Sequence, residues 1–162
     1  MNPILQDQIE AILKGYRFGF SVDLGCGEGL RWLRNYTSYL IGVDKAGFRL
    51  KMAKERGYDE VVQKDFREYE IPNACDSVFL FDVIEHIPKN DGVALLQKVK
   101  TKRIPFIMLT TPEKFCPLSS SNGHVSLWSK EQLENLGFRV RKIDLPSLLK
   151  MLYGKELIAI GN

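Results

Sequence analysis

The strongest chemical signal in the sequence is a set of glycines followed at a fixed distance by an acid. A short apolar run from Phe18 leads into Val22-Asp23-Leu24-Gly25-Cys26-Gly27-Glu28-Gly29. A second short run ends in Ile41-Gly42-Val43-Asp44, which puts Asp44 19 residues after Gly25. A glycine-rich turn between a strand and a helix lets a ligand approach the backbone closely. An acid at this separation is placed to accept hydrogen bonds from both hydroxyls of a ribose. Together they read as a nucleoside-binding fingerprint. Two plainer readings stay open: a turn that merely packs, and an aspartate that caps the next helix. The dinucleotide pattern wants its third glycine one residue later, where this chain has Leu30.

The rest of the chain supplies elements that could position such a site. Ile4, Leu5, Ile9, Ile12 and Leu13 recur at helical spacing, which predicts an amphipathic helix within residues 1–17 that ends near Gly15. Strands are predicted at Phe18–Leu24, Leu40–Val43, Glu60–Gln63, Asp76–Phe81, Pro105–Leu109, Phe138–Ile143 and Leu157–Ile160. Helices are predicted at Gly29–Tyr36, Phe48–Arg56, Asp91–Lys100 and Glu131–Leu136, with a short candidate at Leu148–Tyr153. Strands that alternate with helices predict a parallel sheet covered on both faces. The alternation breaks near the C-terminus, which points to an antiparallel finish. Residues 111–128 form the longest irregular stretch, and a loop of that length is usually functional.

Composition narrows the function without naming it. The 162 residues are 44% hydrophobic and 27% charged, as expected of one globular domain, and leave no room for a two-lobed dehydrogenase. A formal charge of +3, with no basic block, is far from the balance of a dedicated nucleic-acid binder. Cys26, Cys75 and Cys116 form no C-x-x-C pair, so neither a disulfide framework nor a zinc site is indicated. Reduced thiols in a cytoplasmic protein are the simplest reading. Met1–Phe20 carries Asp7 and Glu10 and does not read as a signal peptide, and no apolar run reaches membrane-spanning length.

In order along nearly the whole chain, these residues resemble the motifs of the class I S-adenosylmethionine-dependent methyltransferases. Val22–Gly29 is similar to that family's first motif, and Asp44 to its ribose-binding acid. Asp65-Phe66 is similar to its adenine-binding pair. Asp76–Ile87, with Asp82-Val83-Ile84-Glu85-His86 at its centre, is similar to its fourth-strand motif, in the wording of the small-molecule, quinone-pathway-like branch (methyltransferase type 11). The resemblance implies a Rossmann-like α/β sandwich over 1–162. Its seven-stranded sheet would have order 3-2-1-4-5-7-6, with strand seven antiparallel. It implies S-adenosyl-L-methionine as cofactor and S-adenosyl-L-homocysteine as product. The methionine part would rest on Gly25, Cys26 and Gly27 with Asp23 near its amino group. Asp44 and Lys45 would border the ribose and Asp65 and Phe66 the adenine. Asp82 and Val83 would border the methyl group.

The acceptor is harder to read, because a sulfonium is already an excellent leaving group and a base is needed only for a protonated acceptor atom. His86 and Glu85 follow strand four at the mouth of the expected site and are candidate bases, or caps of the following turn. His124 and Trp128, in Asn122-Gly123-His124-Val125-Ser126-Leu127-Trp128, are candidates for the acceptor pocket, with Trp128 alternatively a buried anchor. Two histidines without an acidic pair at ligand spacing indicate no metal site. The family's Asn/Asp-Pro-Pro-aromatic motif of amine methylases is absent. Asp82 and Lys114 would make only half of the tetrad of ribose methylases. The expected acceptor is therefore a small molecule or a glycan or lipid intermediate, often methylated on oxygen, with nucleic acid disfavoured. A homodimer or partner chain could complete the pocket. The competing expectations are a small NAD-dependent reductase or epimerase, and a cofactor-binding module that is not itself catalytic.

Overall fold

The computed structural model describes residues 2–113, 123–144 and 156–162. Helix α1 (Pro3–Leu13) starts at a built cap: the Asn2 side chain accepts the Leu5 amide, and Pro3 occupies the first turn where its missing N–H costs nothing. Strands β1 (Phe18–Leu24), β2 (Thr37–Asp44), β3 (Glu60–Gln63), β4 (Ser77–Phe81) and β5 (Phe106–Pro112) are mutually parallel. Strand β7 (Glu156–Gly161) runs antiparallel between β5 and β6 (Arg139–Ile143). The sheet order is β3-β2-β1-β4-β5-β7-β6, with the antiparallel seventh strand that the broken alternation pointed to.

Side-chain alternation builds two cores. Val78 and Leu80 of β4 face one side, with Leu95, Leu96 and Val99 of α3 (Lys89–Thr101) and Leu133 of α4 (Lys130–Asn135). Phe79 and Phe81 face the other, with Leu5, Ile9 and Leu13 of α1 and Leu50 and Ala53 of α2 (Gly47–Glu55). Every residue of β4 and β5 is therefore buried, which is why their sequences read as continuous apolar runs. The edge strands β3 and β6 are largely exposed.

The largest difference from expectation lies between β1 and β2. The helix predicted over Gly29–Tyr36 is a six-residue 3-10 segment, Arg31–Tyr36, and β2 begins at Thr37 rather than Leu40. The Leu30 amide is held by the Tyr58 hydroxyl, and Arg34 bonds the carbonyls of Thr37 and Ser38, so both ends of the segment are fixed. Tighter winding rises about 2.0 Å per residue against about 1.5 Å for an α-helix, so six residues cover the gap that an α-helix of that length would leave open. The predicted Leu148–Tyr153 helix lies outside the described residues.

Trp128 lies 1% exposed over α3, and a Cβ added at Gly92 would fall 2.5 Å from its ring. Alanine normally stabilises a helix interior relative to glycine by about 1 kcal/mol. Here Gly92→Ala is expected to lower stability instead, by about 1–3 kcal/mol as an overpacked core does, measured as the shift in urea midpoint.

Candidate functional site

A cleft of about 770 Å³ opens at the carboxyl ends of β1, β2 and β4, where an open parallel sheet binds ligands. Its floor is the glycine turn. The amides of Gly25 and Cys26 both donate to the Val43 carbonyl, at 2.7 and 3.1 Å, so the turn is tied to the end of β2. Gly25 has φ +73°, and a Cβ there would meet Val83 at 2.7 Å, so glycine is required on two counts. Asp44 closes the arrangement: one carboxylate oxygen accepts the Gly27 amide at 2.9 Å and the other accepts the Ala46 amide at 2.8 Å. The capping alternative is not realised: the cap residue of α2 is Ala46, with no side-chain cap bond, and Asp44 braces the turn ahead of the helix instead. Each oxygen retains a further acceptor site. Asp44, Lys45, Gly25 and Gly27 all line the cleft, next to the exposed ring of Phe48.

Beside the turn a recess of about 70 Å³ is lined by Asp23, Cys26, Leu30, Phe81 and Asp82. Asp23 is buried, and the Tyr58 hydroxyl donates to it at 2.5 Å. Burial raises its carboxyl to about 7, with the Tyr58 bond opposing and the Asp44 charge adding. The same burial, with the charges of Asp23 and Asp44, pushes the Cys26 thiol up, away from thiolate chemistry. Tyr58 was not anticipated from sequence. It sits in the turn between α2 and β3, and nothing local marks it, because it works only once β3 lies beside β2.

Asp65 and Phe66 both line the cleft beyond β3. The Asp65 carboxylate is gripped by Arg67, which donates through Nε at 2.9 Å, Nη2 at 2.6 Å and its backbone amide at 3.0 Å. Those bonds hold the carboxyl down at about 2. Arg67 also reaches Asp91 at 2.7 Å. Arg67 was missed, although its position two residues after Asp65 could have suggested it.

The far end of the cleft is built by the segment after β4. Asp82 takes the left-handed conformation (φ 55°) rare for a non-glycine residue. Its amide bonds the Thr110 carbonyl, and its carboxylate accepts the Thr110 hydroxyl at 2.7 Å. Val83, His86 and His124 line the cleft with it. The two imidazoles meet edge to face, with centroids 4.8 Å apart, and His86 Nδ1 lies 3.3 Å from the Gly123 carbonyl. The loop carrying His124 is fastened by the amides of Val125 and Ser126 donating to the Glu85 carbonyl. The Ser126 hydroxyl and the Trp128 indole N–H both donate to the Ile84 carbonyl. Trp128 therefore anchors this loop and does not line the cleft. Glu85 also stands behind the lining, 1% exposed. Thr111 donates to its Oε2 at 3.1 Å, while Oε1 is buried with no hydrogen-bond partner. Burial and the charge of Asp82 hold this carboxyl well above the usual range. Glu156, unmarked in the sequence, repeats the pattern on β7: Oε2 is buried and unpartnered, and burial raises the carboxyl to about 8.

Sequence and structure comparisons bear on this geometry. Residues 22–102, half of the chain, match the methyltransferase-domain family. No curated protein matches by sequence. Among solved structures, the small RNA methyltransferase HEN1 superposes with a TM-score of 0.69 at 18% identity, covering 96% of this chain, which spans only 24% of that one. The N-methyltransferase NodS from Bradyrhizobium japonicum WM9, in complex with S-adenosyl-L-homocysteine, gives 0.75 at 12% identity over 98% of this chain and 87% of its own. The magnesium protoporphyrin IX methyltransferase ChlM from Synechocystis PCC 6803, with bound S-adenosylmethionine, gives 0.66 at 17% identity over 96% and 77%. At these identities the neighbours share the fold. The family match falls on the segment that carries the glycine turn, Asp44, Asp65 and the turn after β4, so the chain belongs to the class I S-adenosylmethionine-dependent methyltransferases.

Proposed function

We propose that this chain transfers a methyl group to a small-molecule or glycan or lipid-intermediate acceptor, on an oxygen atom, from S-adenosylmethionine held in the cleft. The carrying observation is the Asp44 carboxylate, fixed by two backbone amides at the lip of the glycine turn with acceptor capacity directed to the cleft. The cofactor's parts fit the residues present. The cleft has the volume expected of a small-ligand site. Asp44 and Lys45 border the ribose, Phe66 and the Asp65–Arg67 pair the adenine, and Gly25, Gly27 and Cys26 the methionine chain. Asp23, at the wall of the recess, faces the amino group.

Bound S-adenosylmethionine supplies an activated methyl on a sulfonium centre. The chain's own residues then have two tasks: to align the acceptor in line with that methyl and to exclude water. Asp82 and Val83 set the wall beside the transfer point. His86 and His124 form the acceptor side, backed by Glu85. Trp128 supports them by holding its loop to the turn after β4. A pocket bounded on one side by Gly123 and His124 leaves room for a second copy or partner chain to complete it; the expected 111–128 loop lies partly outside the described residues. The buried, reduced Cys26 and Cys75 fit a cytoplasmic setting, and no described helix is long and apolar enough to cross a membrane. An RNA acceptor is the second reading, favoured by the likeness to HEN1. It requires a radiolabelled methyl to appear on RNA rather than in a small-molecule fraction of extract.

Asp44→Ala is expected to weaken S-adenosylmethionine binding by about 1–3 kcal/mol, the cost of unpairing charge-assisted hydrogen bonds. Titration calorimetry checks this, and wild-type affinity in the variant refutes the ribose assignment.

Asp23 links pH to both folding and binding, with opposite signs. Its carboxyl stands near 7 in the folded chain against 3.8 unfolded, so the folded state binds the extra proton between those values. Tyr58, Asp44 and Cys26 face it. Stability of the free protein is therefore greatest at low pH and is lost as pH rises towards about 7, by on the order of 4 kcal/mol in total. Urea unfolding of wild type relative to Asp23→Asn should show that decline and then level off. An ammonium partner needs the ionised carboxylate, so S-adenosylmethionine should bind more tightly between about pH 6 and about pH 7.5, and Asp23→Asn should abolish the gain. A pH-independent difference between the two proteins would remove Asp23 from both roles.

A further inference from the structure

We infer that Glu85, His86 and His124 form a binding site for a divalent transition-metal ion at the acceptor end of the cleft. This rests on the methyl-transfer reading only for the use of the ion, not for its binding. One ligand atom from each of the three residues lies within 4.8 Å of the others. Metal–nitrogen and metal–oxygen bonds of about 2.0–2.2 Å put the donors of a tetrahedral or facial site roughly 3.0–3.6 Å apart, so side-chain rotations that bring the three atoms about 1–2 Å closer close the set. Two imidazoles and one carboxylate, with positions left open, is a donor set that suits zinc, iron, cobalt or manganese(II).

The groups around the three residues are those that orient metal ligands. His86 Nδ1 faces the Gly123 carbonyl at 3.3 Å. A proton on that nitrogen donates to the carbonyl and leaves Nε2 with its lone pair, the usual arrangement of a ligating histidine. Glu85 is held in the same manner: Thr111 donates to Oε2, and the other oxygen, Oε1, has no partner although the residue is only 1% exposed. A buried carboxylate oxygen without a partner costs free energy, and a cation is what would offset it. The His124 backbone is placed by two amides bonded to the Glu85 carbonyl itself, so the cluster is assembled by the fold before any ion arrives. Asp82 and Glu156 add carboxylates to the same region, which favours positive charge there. The open positions face the cleft beside Asp82 and Val83, where an oxygen of the acceptor would complete the coordination.

Chelator-treated protein titrated with Co²⁺, without cofactor or acceptor, tests this by visible d–d absorption and calorimetry. One equivalent should bind. His86→Ala and His124→Ala should each weaken it at least about ten-fold, as should the isosteric Glu85→Gln, with circular dichroism showing that each variant is folded. Absence of saturable Co²⁺ binding overturns the site. So does wild-type affinity in the His86→Ala/His124→Ala double variant, which would place the ion elsewhere. Asp65→Ala, at the opposite end of the cleft and outside the bonds that hold the His124 loop, should lose affinity for S-adenosylmethionine and keep that for Co²⁺. Failure of the cofactor reading therefore shows as loss of the first titration alone, and failure of the metal site as loss of the second alone.

Discussion

The Asp44 carboxylate is the constraint on which the rest of the site depends. It joins the amide of Gly27, in the turn after β1, to that of Ala46, ahead of α2. With Gly25 and Cys26 tied to the Val43 carbonyl, two neighbouring loops at the sheet's carboxyl edge become one rigid lip. Everything else is measured from that lip. Val83 packs on Gly25, which sets where the chain leaves β4, and the turn after β4 in turn carries Ile84 and Glu85, whose carbonyls hold the His124 loop. A parallel sheet aligns strand ends but does not by itself fix loops. Here side-chain-to-backbone bonds do so, in a chain from β2 through β1 to β4.

The same bonds say what the turn does not do. In phosphate-binding loops the successive amides point outward, and a helix N-terminus adds positive potential. Here the amides of Gly25, Cys26 and Gly27 are all satisfied inside the protein. The following segment is a 3-10 turn that begins only at Arg31. At this turn a pyrophosphate would find the amides of Gly25, Cys26 and Gly27 already taken and no α-helix N-terminus, so these glycines serve close backbone approach rather than anion binding. This argues against the dinucleotide reading more directly than the early third glycine does. It also suits a ligand whose central portion carries no phosphate.

What was legible in the sequence was what is local. The glycine turn and the 19-residue step to Asp44 follow from one strand-turn-strand unit, and continuous apolar runs marked β4 and β5 as buried on both faces. Boundaries slipped where a long-range bond decides them: the Tyr58 hydroxyl on Leu30 belongs to a residue 28 positions away, and it converts an expected helix into a 3-10 segment. Glu156 could not be singled out, because it meets the site only through the antiparallel register of β7 against β5. Trp128 illustrates a different limit. Its motif was visible, but whether the ring lines a pocket or fills a core depends on Gly92, on a helix 36 residues earlier, leaving space for it.

The acceptor end breaks the rules that the remainder of the fold obeys. Glu85 and Glu156 are buried, each with an oxygen that no protein group satisfies, and Asp82 holds a left-handed backbone between them and the cleft. An unsatisfied buried polar atom costs about 1–3 kcal/mol and a strained backbone a similar amount. A domain with a stability of about 5–15 kcal/mol would not carry several such terms in one place without a compensating use. The Asp23 end of the cleft contains one buried acid and provides Tyr58 for it; the β4–β7 end contains two and leaves an oxygen of each open. That asymmetry separates binding from chemistry. The Asp23 end is locally satisfied and prebuilt, whereas the β4–β7 end leaves buried carboxyl oxygens that the fold neutralises by raising their affinity for a proton and that a cation would neutralise equally.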